Sequence, residues 1–178
     1  MPAIFPGRFT AQVDEPIVVF VIGMRVNRLR AVRKWLPVAR EMGPMLLTLY
    51  QHPEKGMLHA ETFLMWRGVV MVQYWRSFEH LERFARDRDD PHAAAWQRFM
   101  KNVGGDGTVG IFHETYVVEP GSAESIYANM PRFGLAAATQ HVPATGHRAT
   151  ARARLRSQSH DATPNPEETH LVTAGVTA

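Results

Sequence analysis

Between Pro16 and Val26 the chain reads PIVVFVIGMRV, an extended stretch in which both alternating sets of side chains are largely apolar. A strand sends successive side chains to opposite faces, so this one has to be covered on both. The period then changes. Val32, Trp35, Leu36 and Ala39 fall three or four apart, and Leu46, Leu49 and Tyr50 resume the spacing beyond Gly43-Pro44. This predicts a helix from Leu29 to about Tyr50, kinked at Pro37 and broken at Gly43-Pro44. HPEKG makes a turn. MLHAETFLMW (Met57 to Trp66) and VVMVQYW (Val69 to Trp75), on either side of Arg67-Gly68, read as two strands of a tight hairpin.

Ser77 is a natural N-cap, after which Phe78, Leu81, Phe84 and Ala85 repeat at helical spacing until DRDDP interrupts them. Asp90 and Pro91 suit the start of a second helical part, with Ala93, Trp96, Phe99, Met100 and Val103 on its apolar stripe. GGDG stops it, and TVGIFHETYVVEPG (Thr108 to Gly121) returns to strand composition. The order β-α-β-β-α-β is that of an α+β, ferredoxin-like fold, an antiparallel four-stranded sheet with both helices on one face. Two helices cover one face only, yet the first and third strands are apolar on both. The simplest cover for the second face is another copy of the same sheet, so a homodimer is expected.

A length of 178 residues at 45% hydrophobic content supports one packed domain with extensions. The expected division is an N-terminal arm (1–15), the ferredoxin-like domain (16–121), an extension packing on the domain or on its dimer mate (122–156), and a disordered tail (157–178). In the extension, helical possibilities run around Ala123 to Asn129 with Pro131 as a stop. Ile126, Tyr127, Met130, Phe133 and Leu135 are too apolar for a free tail. The net charge of +3 owes much to Arg148, Arg152, Arg154 and Arg156, which lie in RATARARLR without aromatics and read as a solvated surface stretch. No nucleic-acid partner and no membrane partner are expected. The run from Ile17 to Met24 is too short to cross a bilayer, and the first residues lack a signal-peptide pattern, so the expected location is cytoplasmic. With no cysteine, thiolate chemistry is excluded. The nine histidines show no HxH, HxxxH or HExxH spacing, which ranks metal hydrolysis low. GxSxG is also missing, and GGDG has neither the preceding strand nor the lysine of a phosphate loop.

The segments PGRFTAQVDEPIVVFVIGMRVNR, RKWLPVAREM, VVMVQYWRSFEHLERFARDRDDPHAAAWQRF, VGIFHETYVV and ESIYANMPRFGLAAA, in this order, resemble a family named after a monooxygenase-like protein of fumagillin biosynthesis. It belongs to the dimeric α/β-barrel superfamily, together with the antibiotic-biosynthesis monooxygenases. The resemblance runs from about Pro6 to Arg154 and implies a dimeric α/β barrel. In such relatives a tryptophan at the end of the third strand often borders the pocket, and Trp75 occupies that position. The resemblance also puts a histidine near His92. Some haem-degrading relatives place an axial histidine on this helix, which would make His92 a haem ligand and His80 a weaker one. The alternative is a solvent-facing histidine after Pro91.

Alternation places Val69, Met71, Gln73 and Trp75 on one face of the third strand and Val70, Val72 and Tyr74 on the other. The first set is assigned to a cavity between two sheets, with Met71 touching substrate and Gln73 and Trp75 orienting dioxygen or an oxyanion, and the second set to the helices. The reverse assignment is open, and Trp75 also suits an anchor for the dimer or the second helix. His113, inside an apolar strand, needs a hydrogen bond, solvent or a ligand. It is a candidate base toward an acidic phenol or a ligand to iron, or else is bonded to the neighbouring strand. His113 and Thr115 share one face, Glu114 and Tyr116 the other, and only one pair points inward; Tyr116 is kept as a candidate substrate contact. Arg25 and Asn27, after the first apolar run, are candidates to bind an anionic group at the cavity mouth. Two functions follow: a monooxygenase acting on a small apolar or aromatic metabolite, cofactor-independent or haem-dependent, or a non-catalytic binder of haem or a lipophilic molecule.

Overall fold

The computed structural model describes residues 2–87, 97–101 and 103–160. The expected helix start at Pro91 and His92 lies outside these residues, as does the expected tail beyond residue 160. Residues 157–160, assigned to that tail, continue the helix Ala151–His160. The strands are β1 (Phe5–Gln12), β2 (Ile17–Val26), β3 (Met57–Met65), β4 (Gly68–Trp75), β5 (Val109–Val118), β6 (Tyr127–Met130) and β7 (Gln140–Pro143). The two longer helices that join the central strands are α1 (Val32–Gln51) and α2 (Phe78–Arg86).

β2, the run apolar on both faces, sits inside a four-stranded antiparallel sheet of order β3-β4-β2-β5. With α1 between β2 and β3 and α2 between β4 and β5, this is the ferredoxin-like α+β arrangement. Register fixes the faces. Val18, Phe20, Ile22 and Met24 lie opposite Trp75, Gln73, Met71 and Val69 of β4, and opposite Val117, Thr115, His113 and Ile111 of β5. This set faces the helices, because Trp75 packs with Leu81 and Phe84 of α2. The expectation that Val70, Val72 and Tyr74 face the helices is therefore reversed. Both sets are apolar, so alternation alone carried no preference; the crossover into α2 decides it.

α1 also departs from expectation, running unbroken through Pro37 and Pro44. Each proline removes one helical N–H and costs about 3 kcal/mol in a helix interior. The apolar stripe stays in phase across both, with Trp35, Val38 and Ala39 packed at one end of the sheet and Leu46 and Leu49 at the other. A break would strand one half of that stripe in water. Ser77 does stand at the start of α2, but its hydroxyl makes no cap bond and instead meets His80 Nδ1 at 2.9 Å.

The core is split in two. Val18, Leu49, Met57, Trp75, Leu81 and Phe84 form one cluster. Met24, Val26, Phe99, Val103 and Val109 form another, at the opposite end of β2. The middle of the sheet, around Ile22, Met71 and His113, belongs to neither.

The N-terminal arm and the extension build a second sheet together, of order β6-β1-β7 and antiparallel throughout. Tyr127–Met130 is thus a strand where helix was expected. The segment is too short to nucleate a helix alone, whereas β1 satisfies its backbone at once. Arg154, expected on a solvated surface, is buried: it is paired with Glu124 and donates to the carbonyls of Arg148 and Ala149. A buried guanidinium requires this full set of acceptors.

This unit covers part of the face turned away from the helices. Phe133 meets Phe63 edge-on at 6.1 Å, and the Gly134 N–H donates to Glu61 Oε1 at 3.2 Å. A Cβ on Gly134 would come within 3.1 Å of the Tyr74 hydroxyl, so the segment lies directly on that ring. Burial, with Tyr127 and Glu61 adding to it, pushes the Tyr74 phenol up to about 12. An unfolded tyrosine ionises near ~10. The native state therefore keeps a proton that the unfolded chain loses, and stability is expected to fall as pH rises from about 10 to 12. Absorbance at alkaline pH should show Tyr74 ionising late, with Tyr116, whose hydroxyl bonds to Glu114, also raised above the ordinary value. Thermal melts should weaken over the same range and lose that dependence in Tyr74→Phe. Simultaneous ionisation of all the tyrosines would contradict the burial.

Candidate functional site

The gap between the two core clusters is a cavity of ≈ 530 Å³ between the sheet and the helices. Phe20, Ile22 and Met24 of β2 and Met71 of β4 form its floor, because the pleat turns alternate residues of both strands to the same side. Val38 and Met45 of α1, with Leu81 of α2 and Phe99, contribute the opposing walls. Volume and lining suit a small, mostly apolar molecule.

Few polar side chains reach this space. His113 and Thr115 project from β5 on the helix-facing side. The His113 ring lies 5.6 Å from the Phe20 ring, tilted by 39°. It has no hydrogen-bond partner among the described residues, and Ile22 stands opposite it on β2. At the helices, Arg98 holds Glu41 with both arms of its fork, Nε donating to Oε1 at 2.8 Å and Nη2 to Oε2 at 2.6 Å. The Glu41 carboxylate raises the Arg98 pKa above its ordinary value. Their side chains are 28% and 53% exposed, so this pair stands at the solvent end of the lining. Glu82 is turned to Arg86 at 2.8 Å. The cavity thus combines an apolar floor, one imidazole without a hydrogen-bond partner among the described residues, and one neutralised ion pair.

Of the residues singled out from the sequence, His113 and Met71 meet on this lining. Trp75 and Gln73 do not reach it. Trp75 is fully buried, and its indole N–H donates to Gln73 Oε1 at 3.0 Å. The polar end of the strand therefore satisfies itself inside the core. Tyr116 lies on the opposite face, where its hydroxyl donates to Glu114. Arg25 shares that other face, beside Gly68 and Gly110. Asn27 donates from its side chain to the Gly107 carbonyl at 3.2 Å, which makes it a fastener between loops. His92 is outside the described residues. His80, bonded to Ser77, packs under Gly56 and is not on the lining. A cavity was expected between two sheets; the one lined by His113 and Met71 lies on the helix side. Glu41 and Arg98 went unnoticed because they are 57 positions apart and only the packing of α1 joins them. Thr115 was readable as the alternation partner of His113. Among the described residues no group of three metal-ligating side chains comes together.

A ferredoxin-like sheet with a small-molecule-sized cavity under its helices defines the class: an α+β protein with an internal apolar site. The chain belongs to the Monooxygenase af470-like family, whose model matches residues 17–135. It is 29% identical over 154 residues to Monooxygenase af470 of Aspergillus fumigatus, a match covering 72% of this chain and 53% of that protein. The chain therefore spans about half the length of this curated relative. Among solved structures it is similar to SnoaB, a cofactor-independent oxygenase from Streptomyces nogalater, at a TM-score of 0.41 and 10% identity over 58% of this chain and 93% of the other. It is also similar to a dimeric protein of ferredoxin-like fold from Bacteroides fragilis, at a TM-score of 0.42 and 12% identity over 58% and 95% of the two chains.

Proposed function

We propose that this protein is a monooxygenase that holds a small apolar or aromatic metabolite in the cavity beneath α1 and α2. The observation that carries this reading is His113, an imidazole without a hydrogen-bond partner among the described residues, on the lining of a mostly apolar space. Family membership and the name of the fungal relative agree with oxygen chemistry. In the proposed reaction His113 takes a proton from a phenolic substrate, and the electron-rich anion reduces dioxygen directly. One oxygen atom enters the substrate, and the other leaves as water with the two hydrogens the substrate gives up. The protein contributes a base, orientation and exclusion of water. Oxygen uptake with a panel of polyphenols tests the reading, and absence of uptake with every member counts against it.

A haem needs an axial ligand and cations for two propionates. His113 offers the first, but Arg98, the cation on the described lining, is already held by Glu41. The described lining does not suit haem, and no step is routed through it.

The protein is further proposed to work as a homodimer through the face turned away from the helices. The C-terminal unit covers the β3–β4 side of this face, while Phe112 and Tyr116 on the β5 side remain 38% and 51% exposed. The Phe112 ring packs against Gly23, where a Cβ would come within 2.6 Å of it. Exposed aromatic rings on this face, beside Glu114, favour burial against a second copy. Light scattering at micromolar concentration is expected to give twice the chain mass, and Phe112→Asp to give the single mass. A wild-type protein that scatters as one subunit would refute the dimer.

A further inference from the structure

Among the described residues the two most exposed large apolar side chains, Leu64 at 91% and Trp66 at 84%, lie at one place, the end of β3 and the turn into β4. Exposure of a tryptophan and a leucine side by side wastes apolar area unless something covers it. The surrounding structure holds this tip rigidly. Val26 N–H donates to the Arg67 carbonyl at 2.7 Å, and the Arg67 guanidinium donates back to the Asn27 carbonyl at 2.6 Å. The loop after β2 is therefore tied against the turn. Its Leu29 is 53% exposed and the following Val32 45%, and the Leu29 carbonyl is fixed by the Trp35 indole N–H at 3.0 Å.

Charge at the same end is one-sided. No acidic residue occurs between Glu15 and Glu41, while Arg25, Arg28, Arg30 and Arg33 all do. These four arginines are exposed and form no ion pair among the described residues. Asp106, on the neighbouring loop, is neutralised by Lys34, which holds its carboxyl well below the usual range.

We infer that this end of the sheet docks peripherally on an anionic lipid surface, with Trp66 and Leu64 entering the headgroup boundary and the arginines meeting lipid phosphates and carboxylates. Charge decides between occupants: the exposed arginines beside the tip call for an anionic surface, and tryptophan favours the headgroup boundary of a bilayer. The arginines add the electrostatic half of the attraction. Among the described residues no helix is long and apolar enough to span a membrane, and this mode of binding requires none.

The test is co-sedimentation of the full chain with phosphatidylcholine vesicles, with and without phosphatidylserine. Binding is expected to the anionic vesicles and to weaken with added salt. Neutralising Arg28 or Arg30 to Gln should reduce partitioning about fivefold for each. Leu64→Ser with Trp66→Ser should reduce it on the order of tenfold or more. Brominated lipid should quench fluorescence in wild type and much less in Trp66→Phe, which keeps the fold. Equal binding to neutral vesicles, no binding to either kind, or binding indifferent to the paired serine change would each overturn the inference. So would loss of self-association in that variant without loss of vesicle binding, or retention by duplex DNA without vesicle binding.

Discussion

Replacing His113 with alanine is expected to lower oxygen uptake by roughly 10²–10⁴-fold, the usual contribution of a positioned general base, while the protein stays folded. The side chain is solvent-exposed and contributes no hydrogen bond among the described residues, so its removal should move stability by no more than about 0.5 kcal/mol. His113→Gln keeps bulk and polarity without a base and should remain slow. Thr115→Val, on the same lining, removes a hydroxyl with no proton-accepting role at this step and should cost far less. Uptake that persists in His113→Ala at the wild-type rate would remove the histidine from the mechanism. A substrate bound with unchanged affinity but not oxidised in the variant would separate its role in chemistry from a role in binding.

Trp75→Ala is expected to have the largest effect on stability, a loss of about 3–5 kcal/mol by analogy with other large-to-small core changes. The indole is fully buried among Leu49, Leu81 and Phe84, with the Phe84 ring 5.5 Å away. Its removal leaves a void where β4, α1 and α2 meet. Trp75→Phe leaves a smaller hole but strips Gln73 Oε1 of its donor inside the core, a loss of about 1–3 kcal/mol. Urea unfolding measures both, with an unchanged m-value expected if the two end states keep their compactness. At temperatures where Trp75→Phe is folded, its oxygen uptake should stay near wild type, since the ring does not line the cavity. A variant as stable as wild type yet inactive would return this tryptophan to the ligand.

These two residues also mark where reading the chain succeeded and where it stopped. Both were recognisable as polar groups needing partners inside apolar strands, because burial without a hydrogen bond is costly. For Trp75 the partner is two residues away on the same strand face, and the pair is closed within the core. For His113 none is present among the described residues, and the cavity takes that place. Nothing in VQYW or IFHETY distinguishes the two outcomes, since both segments alternate in the same way. Glu41 and Arg98 carried no local signal at all, being joined only through helix packing.

Local sequence determined the β-α-β-β-α-β order and the partition of each strand into two faces, because hydrophobic period and turn residues act over a few positions. It also separated His113 and Thr115 from Glu114 and Tyr116. Tertiary structure decided which face meets the helices, whether α1 survives its prolines, and how the N-terminal arm joins the extension in a second sheet. Those outcomes depend on burial summed over distant segments. Here both faces of the central strands are greasy, so only the position of the helices and of the C-terminal unit breaks the tie.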